Sequence, residues 1–275
     1  MIATFITIFF IFGLIIGRFL NVVIIRFNTR GSFFGSLGGR SGCMTCQNKL
    51  CWYELIPLVS FLGLKGRCRN CKTKISLQYP LVELATGLVF ALLFFKFQDI
   101  FFFDTLTFSF VYTYYAVMFS LLIVIAVYDL RHKIIPDMLA LLFGILAFIG
   151  LFFIHSNDFS GVPVFYSQIP TILEFLSGFF IALPFAFFWL VSSGRWMGFG
   201  DAKLALGIGW LLGLASALSG LVIAFWSGAI IGLGLIVFKN RKTSKLGMKS
   251  EIPFAPFLVF GAFLAFIFGL NLFGI

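Results

Sequence analysis

The sequence predicts an all-α polytopic membrane protein with about eight transmembrane helices and one small polar insert that carries two cysteine pairs. Three observations carry this reading. Of 275 residues, 61% are hydrophobic and only 11% are charged, with a mean hydropathy of +1.08. A water-soluble domain holds about 45–50% apolar and about 25% charged residues, so this chain lacks the polar residues to cover a soluble core. Intrinsic disorder needs the opposite bias. The apolar residues also gather into runs of about 20, the length that crosses a hydrocarbon layer. Finally, charge alternates from one connection to the next.

The first run covers 2–25. No basic stretch precedes it and no small-residue cleavage site follows a short apolar core, so it reads as a retained span, not a removed signal. Further runs cover about 79–97, 107–128, 134–155, 171–192, 202–218, 220–238 and 254–274. Those at 79–97 and 202–218 are short or interrupted by glycine. Residues 27–78 form the one long polar insert.

Of the 20 Lys and Arg residues, 18 fall in alternate connections. Arg26, Arg30, Arg40, Lys49, Lys65, Arg67, Arg69, Lys72 and Lys74 lie in or beside the insert. Arg131 and Lys133, then Arg195 and Lys203, then Lys239, Arg241, Lys242, Lys245 and Lys249 follow. Lys96 falls near an opposite connection, and Arg18 lies inside the first run. The positive-inside rule puts the four basic connections in the cytoplasm and both termini outside. A net charge of +10 otherwise raises nucleic acid as a partner. Topology alone accounts for the charge here, so the lipid bilayer is the expected partner and nucleic acid is not.

The insert holds Cys43-Met44-Thr45-Cys46 and Cys68-Arg69-Asn70-Cys71. Each C-x2-C supplies two neighbouring thiolates, and two such pairs complete a tetrahedral four-sulfur zinc site. The stretch between the pairs is slightly longer than the usual ribbon spacing. Zinc in such a site contributes on the order of 10 kcal/mol to folding, which an insert too small for a large core requires. A metal-free remnant and a redox pair are the other readings, while the reducing cytosol disfavours disulfides. Cys51 lies outside the pairs and is expected to be a buried thiol.

Ten acidic residues are few enough to sort individually. Asp99, Asp104, Asp158, Glu174, Glu54 and Glu251 sit in connections and read as solvated. Glu83, Asp129, Asp137 and Asp201 sit within or at the ends of runs. An ionisable group within a span costs about 2.5–3.5 kcal/mol, so each is a functional candidate. Asp129 ends the third span and Asp201 opens the sixth, on the same face at similar depth. Two carboxyls held close do not both ionise near neutral pH. The ionised one can activate water as a general base, and the protonated one can polarise a carbonyl. The plainer alternative is that Asp129 and Asp201 pair with Arg131 and Lys203 at helix ends. His132, between Arg131 and Lys133, reads as a surface residue. Gly198 and Gly200 allow close approach of another chain beside Asp201.

These residues together resemble the bacterial type IV prepilin peptidases, polytopic aspartic proteases that also N-methylate their product. The likeness opens at Gly17-Arg18-Phe19-Leu20-Asn21-Val22-Val23-Ile24-Ile25-Arg26. It continues through Arg40-Ser41, Trp52, Ile56-Pro57, Ser60, Gly66-Arg67-Cys68, Ile75-Ser76, Tyr79-Pro80 and Glu83. It then shows D-x-R-x-x-I-I-P-D at 129–137, G-x-G-D-x-K at 198–203 and Pro253-Phe254-Ala255-Pro256 near the end. Met44 stands where the family commonly has Pro, which is expected to loosen the first cysteine knuckle. Ala255 stands where it has Gly, which is expected to restrict a turn.

The resemblance implies that Asp129 and Asp201 are the catalytic pair, supported by Gly198, Gly200, Lys203 and Asp137, with Asp137 the weaker acidic candidate. It implies zinc ligands at Cys43, Cys46, Cys68 and Cys71. It implies a methyltransferase-associated region over 1–97 and a six-span peptidase core over 98–275. The implied substrate is a type IV prepilin or pseudopilin at the bacterial inner membrane, cleaved on the cytoplasmic side and methylated from S-adenosylmethionine. The substrate's apolar helix is expected to pack laterally, using glycines such as those in 227–234. No G-x-G-x-x-G turn marks a cofactor fold. Asn21, Arg26 and Glu83 are candidates for the methyl-donor site, each with an alternative as a polar helix-end residue. Three other functions stand beside this one: a peptidase without methylation, a transporter using Asp129 and Asp201 as a proton relay, and a zinc-bearing scaffold.

Overall fold

Helices form where the apolar runs lie; the computed structural model describes residues 2–27, 42–43, 45–156, 163–165, 169–195, 197–237 and 253–274. Arg30, Arg40, Ser41, Met44, Asp158, the basic run 239–249, Glu251 and Ile252 lie outside the described residues.

The chain divides into two units, Met1–Phe103 and Asp104–Ile275. The first contains α1 (Ile2–Arg26), a 3-10 turn (Trp52–Leu55), the short α2 (Val59–Gly63) and α3 (Gln78–Phe103). The second contains α4 (Thr105–His132), α5 (Asp137–Phe153), the strands β1 (Ile154–Ser156) and β2 (Pro163–Phe165), α6 (Ile172–Ser192), α7 (Phe199–Val237) and α8 (Ala255–Phe268). Five of these helices, α1, α3, α4, α6 and α7, are long and apolar enough to cross a membrane, while α5 and α8 are shorter apolar helices.

Two departures from the sequence reading have local causes. The runs at 202–218 and 220–238 join into α7, and the break falls at Gly213, whose φ of 74° and ψ of 170° suit glycine alone. Counting both halves of α7, eight apolar helical segments are described. The strands β1 and β2 form a three-residue antiparallel ladder pairing Ile154 with Phe165, so Ile154 and His155 leave the run that was expected to be helical to 155.

Acidic residues that read as solvated turn out to close helix ends. Asp104 caps α4 by accepting the Leu106 N–H at 3.0 Å, and Thr171 and Glu174 form a capping box on α6. Each satisfies backbone donors that a helix start otherwise leaves unpaired.

Within each unit the helices meet at glycines. A Cβ on Gly13 would lie 2.8 Å from the Gly87 Cα, joining α1 to α3. A Cβ on Gly209 would lie 2.6 Å from the Gly178 Cα, joining α6 to α7. Small residues permit this because lipid removes the hydrophobic drive between helices and leaves packing to hold them. Gly261 of α8 faces the Gly220 carbonyl and the Ala224 nitrogen of α7, where no side chain can yield. Gly261→Val should therefore destabilise the second unit by about 1–3 kcal/mol. A lowered unfolding midpoint in detergent would confirm it, and an unchanged midpoint would refute the tight crossing. Large apolar side chains such as Ile15, Phe95, Leu183 and Leu233 remain exposed, as lipid-facing residues do.

Candidate active site and metal centre

Asp129 lies in the last turn of α4, and Asp201 is the third residue of α7. Both are buried, at 5% and 9% exposure. The Asp129 carboxylate accepts the backbone N–H of Ala255, the first residue of α8. The Asp201 carboxylate accepts the backbone N–H of Gly198, immediately before α7. Each carboxylate thus faces the amino end of a helix, α8 for Asp129 and α7 for Asp201, where N–H groups are unpaired and the dipole favours negative charge. The two carboxylates lie within electrostatic reach of one another.

The alternative pairing with Arg131 and Lys203 does not form. Lys203 Nζ donates to Asp137 Oδ1 at 2.6 Å and lies 5.1 Å from the centre of the Phe199 ring. Among the described residues neither Asp129 nor Asp201 has a cationic ion-pair partner. Asp137 is separated from the buried acids by its surroundings, since its side chain is 78% exposed.

The segments 129–137 and 198–203 interlock. Besides the Lys203–Asp137 pair, a Cβ on Gly200 would lie 2.8 Å from Ile135 Cβ. The close approach expected at Gly200 is therefore used by the chain's own Ile135, not left for another chain. A Cβ on Gly198 would meet only Asp201 Oδ2, at 3.9 Å, and the Gly200 nitrogen, at 4.0 Å. Gly200→Val should force Ile135 aside and cost about 1–3 kcal/mol of stability, read from the unfolding midpoint. An unchanged midpoint would mean that the contact can relax. Ala255 does not restrict a turn as expected: it is helical, fully buried and outside the positive-φ set, so its Cβ is accommodated.

In the first unit, the sulfurs of Cys43, Cys46, Cys68 and Cys71 lie within 4.8 Å of one another. Those of Cys43 and Cys71 are 3.7 Å apart. A tetrahedron with zinc–sulfur bonds of about 2.3 Å has edges of about 3.8 Å, so the donor set fits such an ion. The two knuckles repeat one backbone design. Cys43 N–H bonds to the Asn48 carbonyl at 3.0 Å, and Cys68 N–H to the Thr73 carbonyl at 2.9 Å. Gln47 and Lys72 take positive φ of 54° and 57°, and Gly42–Lys49 and Arg67–Lys74 form matching bridges. Only the C-x2-C spacing and a lysine three residues later announce this repeat in the sequence.

Hydrogen bonds from the Thr73 hydroxyl and backbone pull the Cys71 thiol down to about 6. The backbone N–H groups of Cys46 and Thr45 lower Cys43. At Cys46 a hydrogen bond from the Asn48 backbone favours the thiolate, but desolvation and the sulfurs of Cys43, Cys71 and Cys68 push it up to about 11. Cys51 lies outside the cluster and is exposed, not buried as expected. It begins the 3-10 turn, where its N–H is capped by Glu54 Oε2 at 2.8 Å.

Comparison with known proteins matches residues 11–97 to the bacterial peptidase A24 N-terminal domain and residues 116–233 to the type IV leader peptidase family. A prepilin leader peptidase/N-methyltransferase of Aeromonas salmonicida is 32% identical over 94% of this chain and 89% of its own length. One from Bacillus subtilis is 31% identical over 96% and 94%. The chain belongs to the type IV leader peptidase family. A relative of the same name in Pseudomonas aeruginosa is 30% identical over 94% of this chain and 88% of its own. No solved structure matches.

For a leader peptidase the remaining sequence candidates are Asn21, Glu83 and Arg26. Asn21 and Glu83 are buried at 1% and 4% exposure, and Arg26, the last residue of α1, is half-buried. Asn21 Nδ2 donates to the Gly17 and Tyr79 carbonyls at 3.2 and 3.1 Å. Glu83 Oε2 accepts the Leu58 N–H at 2.8 Å, and Oε1 faces Arg18 Nη1 at 3.5 Å. Arg18 is the residue that sequence reasoning passed over. A cation inside one apolar run and a carboxylate inside another were the available signal, because buried charges are paired.

Proposed function

We propose that this protein is an aspartic endopeptidase that removes the leader of type IV prepilins or pseudopilins at the cytoplasmic face of the bacterial inner membrane. It then N-methylates the new amino terminus. The observation that carries the peptidase reading is the pair Asp129 and Asp201, two buried carboxylates at helix amino ends with no described cationic partner. One carboxylate takes a proton from water as the water oxygen bonds to the scissile carbonyl carbon. The other carboxyl donates its proton to the carbonyl oxygen. Collapse of the gem-diol then breaks the C–N bond: the carboxyl that took the water's proton gives it to the leaving amine, and one diol hydroxyl returns its proton to the other carboxylate. The Ala255 and Gly198 N–H groups hold the two carboxylates in place throughout. A proton relay would favour acids near mid-span, whereas these lie in the last turn of α4 and the first turn of α7.

The charge pattern supports cytoplasmic orientation, since 18 of 20 basic residues fall in the alternate connections of the sequence next to which Asp129 and Asp201 also lie. The substrate helix packs laterally against the glycine-bearing stretch 227–234 of α7, which presents its leader junction at the depth of the two acids. Zinc is held by Cys43, Cys46, Cys68 and Cys71 as a closed structural site. The names of the relatives support methylation. S-adenosylmethionine, when bound, supplies the methyl group to the new amine. We assign the methylation to region 1–97 and the proteolysis to region 98–275.

The test is incubation of detergent-purified protein with a prepilin and labelled S-adenosylmethionine, followed by mass analysis. Cleavage at the leader junction with one added methyl group supports both activities. Cleavage without label reduces the function to a peptidase, and no cleavage overturns the reading.

A further inference from the structure

We infer that Arg18, Asn21 and Glu83 form the site that holds the α-amino-acid head of the methyl donor. This rests on the proposed methyltransferase activity. The three residues share the seam between α1 and α3. Gly17 permits that seam to close, because a Cβ there would lie 2.8 Å from the Glu83 Cα. Arg18 and Asn21 are one turn apart on α1, and Tyr79 and Glu83 one turn apart on α3, so both pairs present neighbouring faces.

Part of this polarity fastens the insert to the helices. Glu83 Oε2 accepts the Leu58 N–H at 2.8 Å, and Arg18 Nη2 approaches the Glu54 carbonyl at 3.5 Å. That role leaves three groups unexplained. Asn21 Oδ1 has no hydrogen-bond partner although its residue is 1% exposed. Its orientation is settled, because Nδ2 is needed by two backbone carbonyls at 3.2 and 3.1 Å. Glu83 Oε1 meets only Arg18, at 3.5 Å. Among the described residues Arg18 makes one ion pair and one hydrogen bond, both at 3.5 Å, and lies within electrostatic reach of Tyr79, whereas a charge-assisted bond is normally about 2.7–2.9 Å. A buried orphaned acceptor costs about 1–3 kcal/mol, so a purely structural clasp gains nothing by keeping one.

The under-satisfied groups are the orphaned Asn21 Oδ1, a Glu83 oxygen held by a long ion pair, and a guanidinium with donors to spare. Their complement is a ligand that offers an ammonium to the oxygens and a carboxylate to the guanidinium, which is the head of an α-amino acid. S-adenosylmethionine carries that head. The site lies near the ends of α1 and α3 that flank the insert. Asn21 lies five residues from the end of α1 and Glu83 five from the start of α3, about 8 Å along each helix. The Arg18 side chain is 27% exposed.

The test uses the full chain in detergent. Binding of S-adenosylmethionine is measured by equilibrium dialysis, with competition by S-adenosylhomocysteine, which keeps the head, and by 5′-methylthioadenosine, which lacks it. The wild type should prefer the first competitor by at least about tenfold. Glu83→Gln keeps an acceptor for the Leu58 N–H but removes the charge, and should weaken donor binding about tenfold or more. It should also draw the competitor ratio toward one. Asn21→Leu should act in the same direction, with zinc content and unfolding midpoint reporting whether it folds. An unchanged dissociation constant and competitor ratio in folded Glu83→Gln overturns the assignment. No binding by the wild type overturns the methyl-donor reading itself.

Discussion

Asp129→Asn and Asp201→Asn should each lower leader cleavage by about 10²–10⁴-fold, the span that general acid–base groups contribute. Asparagine is nearly isosteric with aspartate and can still accept the N–H of Ala255 or Gly198, so the helix ends stay in place. What is lost is the proton exchange between a carboxylate and water, or between a carboxyl and the scissile carbonyl. If the two acids act as one device, as proposed, the double variant should be little worse than either single one. Additive losses would mean that the residues work independently. Asp137→Asn is the contrast. Its side chain is exposed and its bond to Lys203 is a surface ion pair, worth about 0–1 kcal/mol. Cleavage should fall only a few-fold, and a loss matching that of Asp129→Asn would move the catalytic assignment. The measurement is single-turnover cleavage of a prepilin in detergent.

Cys68→Ser should remove bound zinc and unfold the insert. Cys68 is the buried member of the four, at 8% exposure, and its backbone closes the second knuckle. Losing one of four thiolates from a closed site forfeits much of a binding energy on the order of 10 kcal/mol. Elemental analysis should find the metal gone, and limited proteolysis should cut within 42–78 while the second unit survives. Retained zinc would sink the four-sulfur assignment. Cys51→Ser should leave zinc content unchanged, because Cys51 is exposed and outside the cluster. Metal affinity should fall as pH falls, because protons compete for sulfur. The Cys46 thiol, pushed up to about 11, must lose its proton before it binds.

Much of the chemistry was legible without coordinates because it is written in short spacings. A C-x2-C pair is a local object: four residues suffice to place two sulfurs side by side. Asp129 and Asp201 stood out because charge is scarce in this chain and costly in lipid. The internal repeat of the knuckles was harder to read, since it resides in backbone hydrogen bonds at Asn48 and Thr73 that unlike side chains satisfy equally well. Arg18 was hidden for a different reason. Its partner Glu83 lies 65 positions away in sequence, and no local pattern says which faces of α1 and α3 meet.

The sequence by itself determined the membrane class and the number of apolar segments, and it singled out the acids and cysteines proposed to do chemistry. Those follow from composition and from distances of a few residues, where transfer energy and chain geometry leave little choice. Tertiary structure decided the pairings: Lys203 with Asp137 instead of Asp201, Gly200 with Ile135, Ala255 beneath Asp129, and Arg18 with Glu83. Each depends on which helix faces cross and how closely. In lipid that is set by packing between small residues far apart in the chain, not by a hydrophobic force any one helix carries.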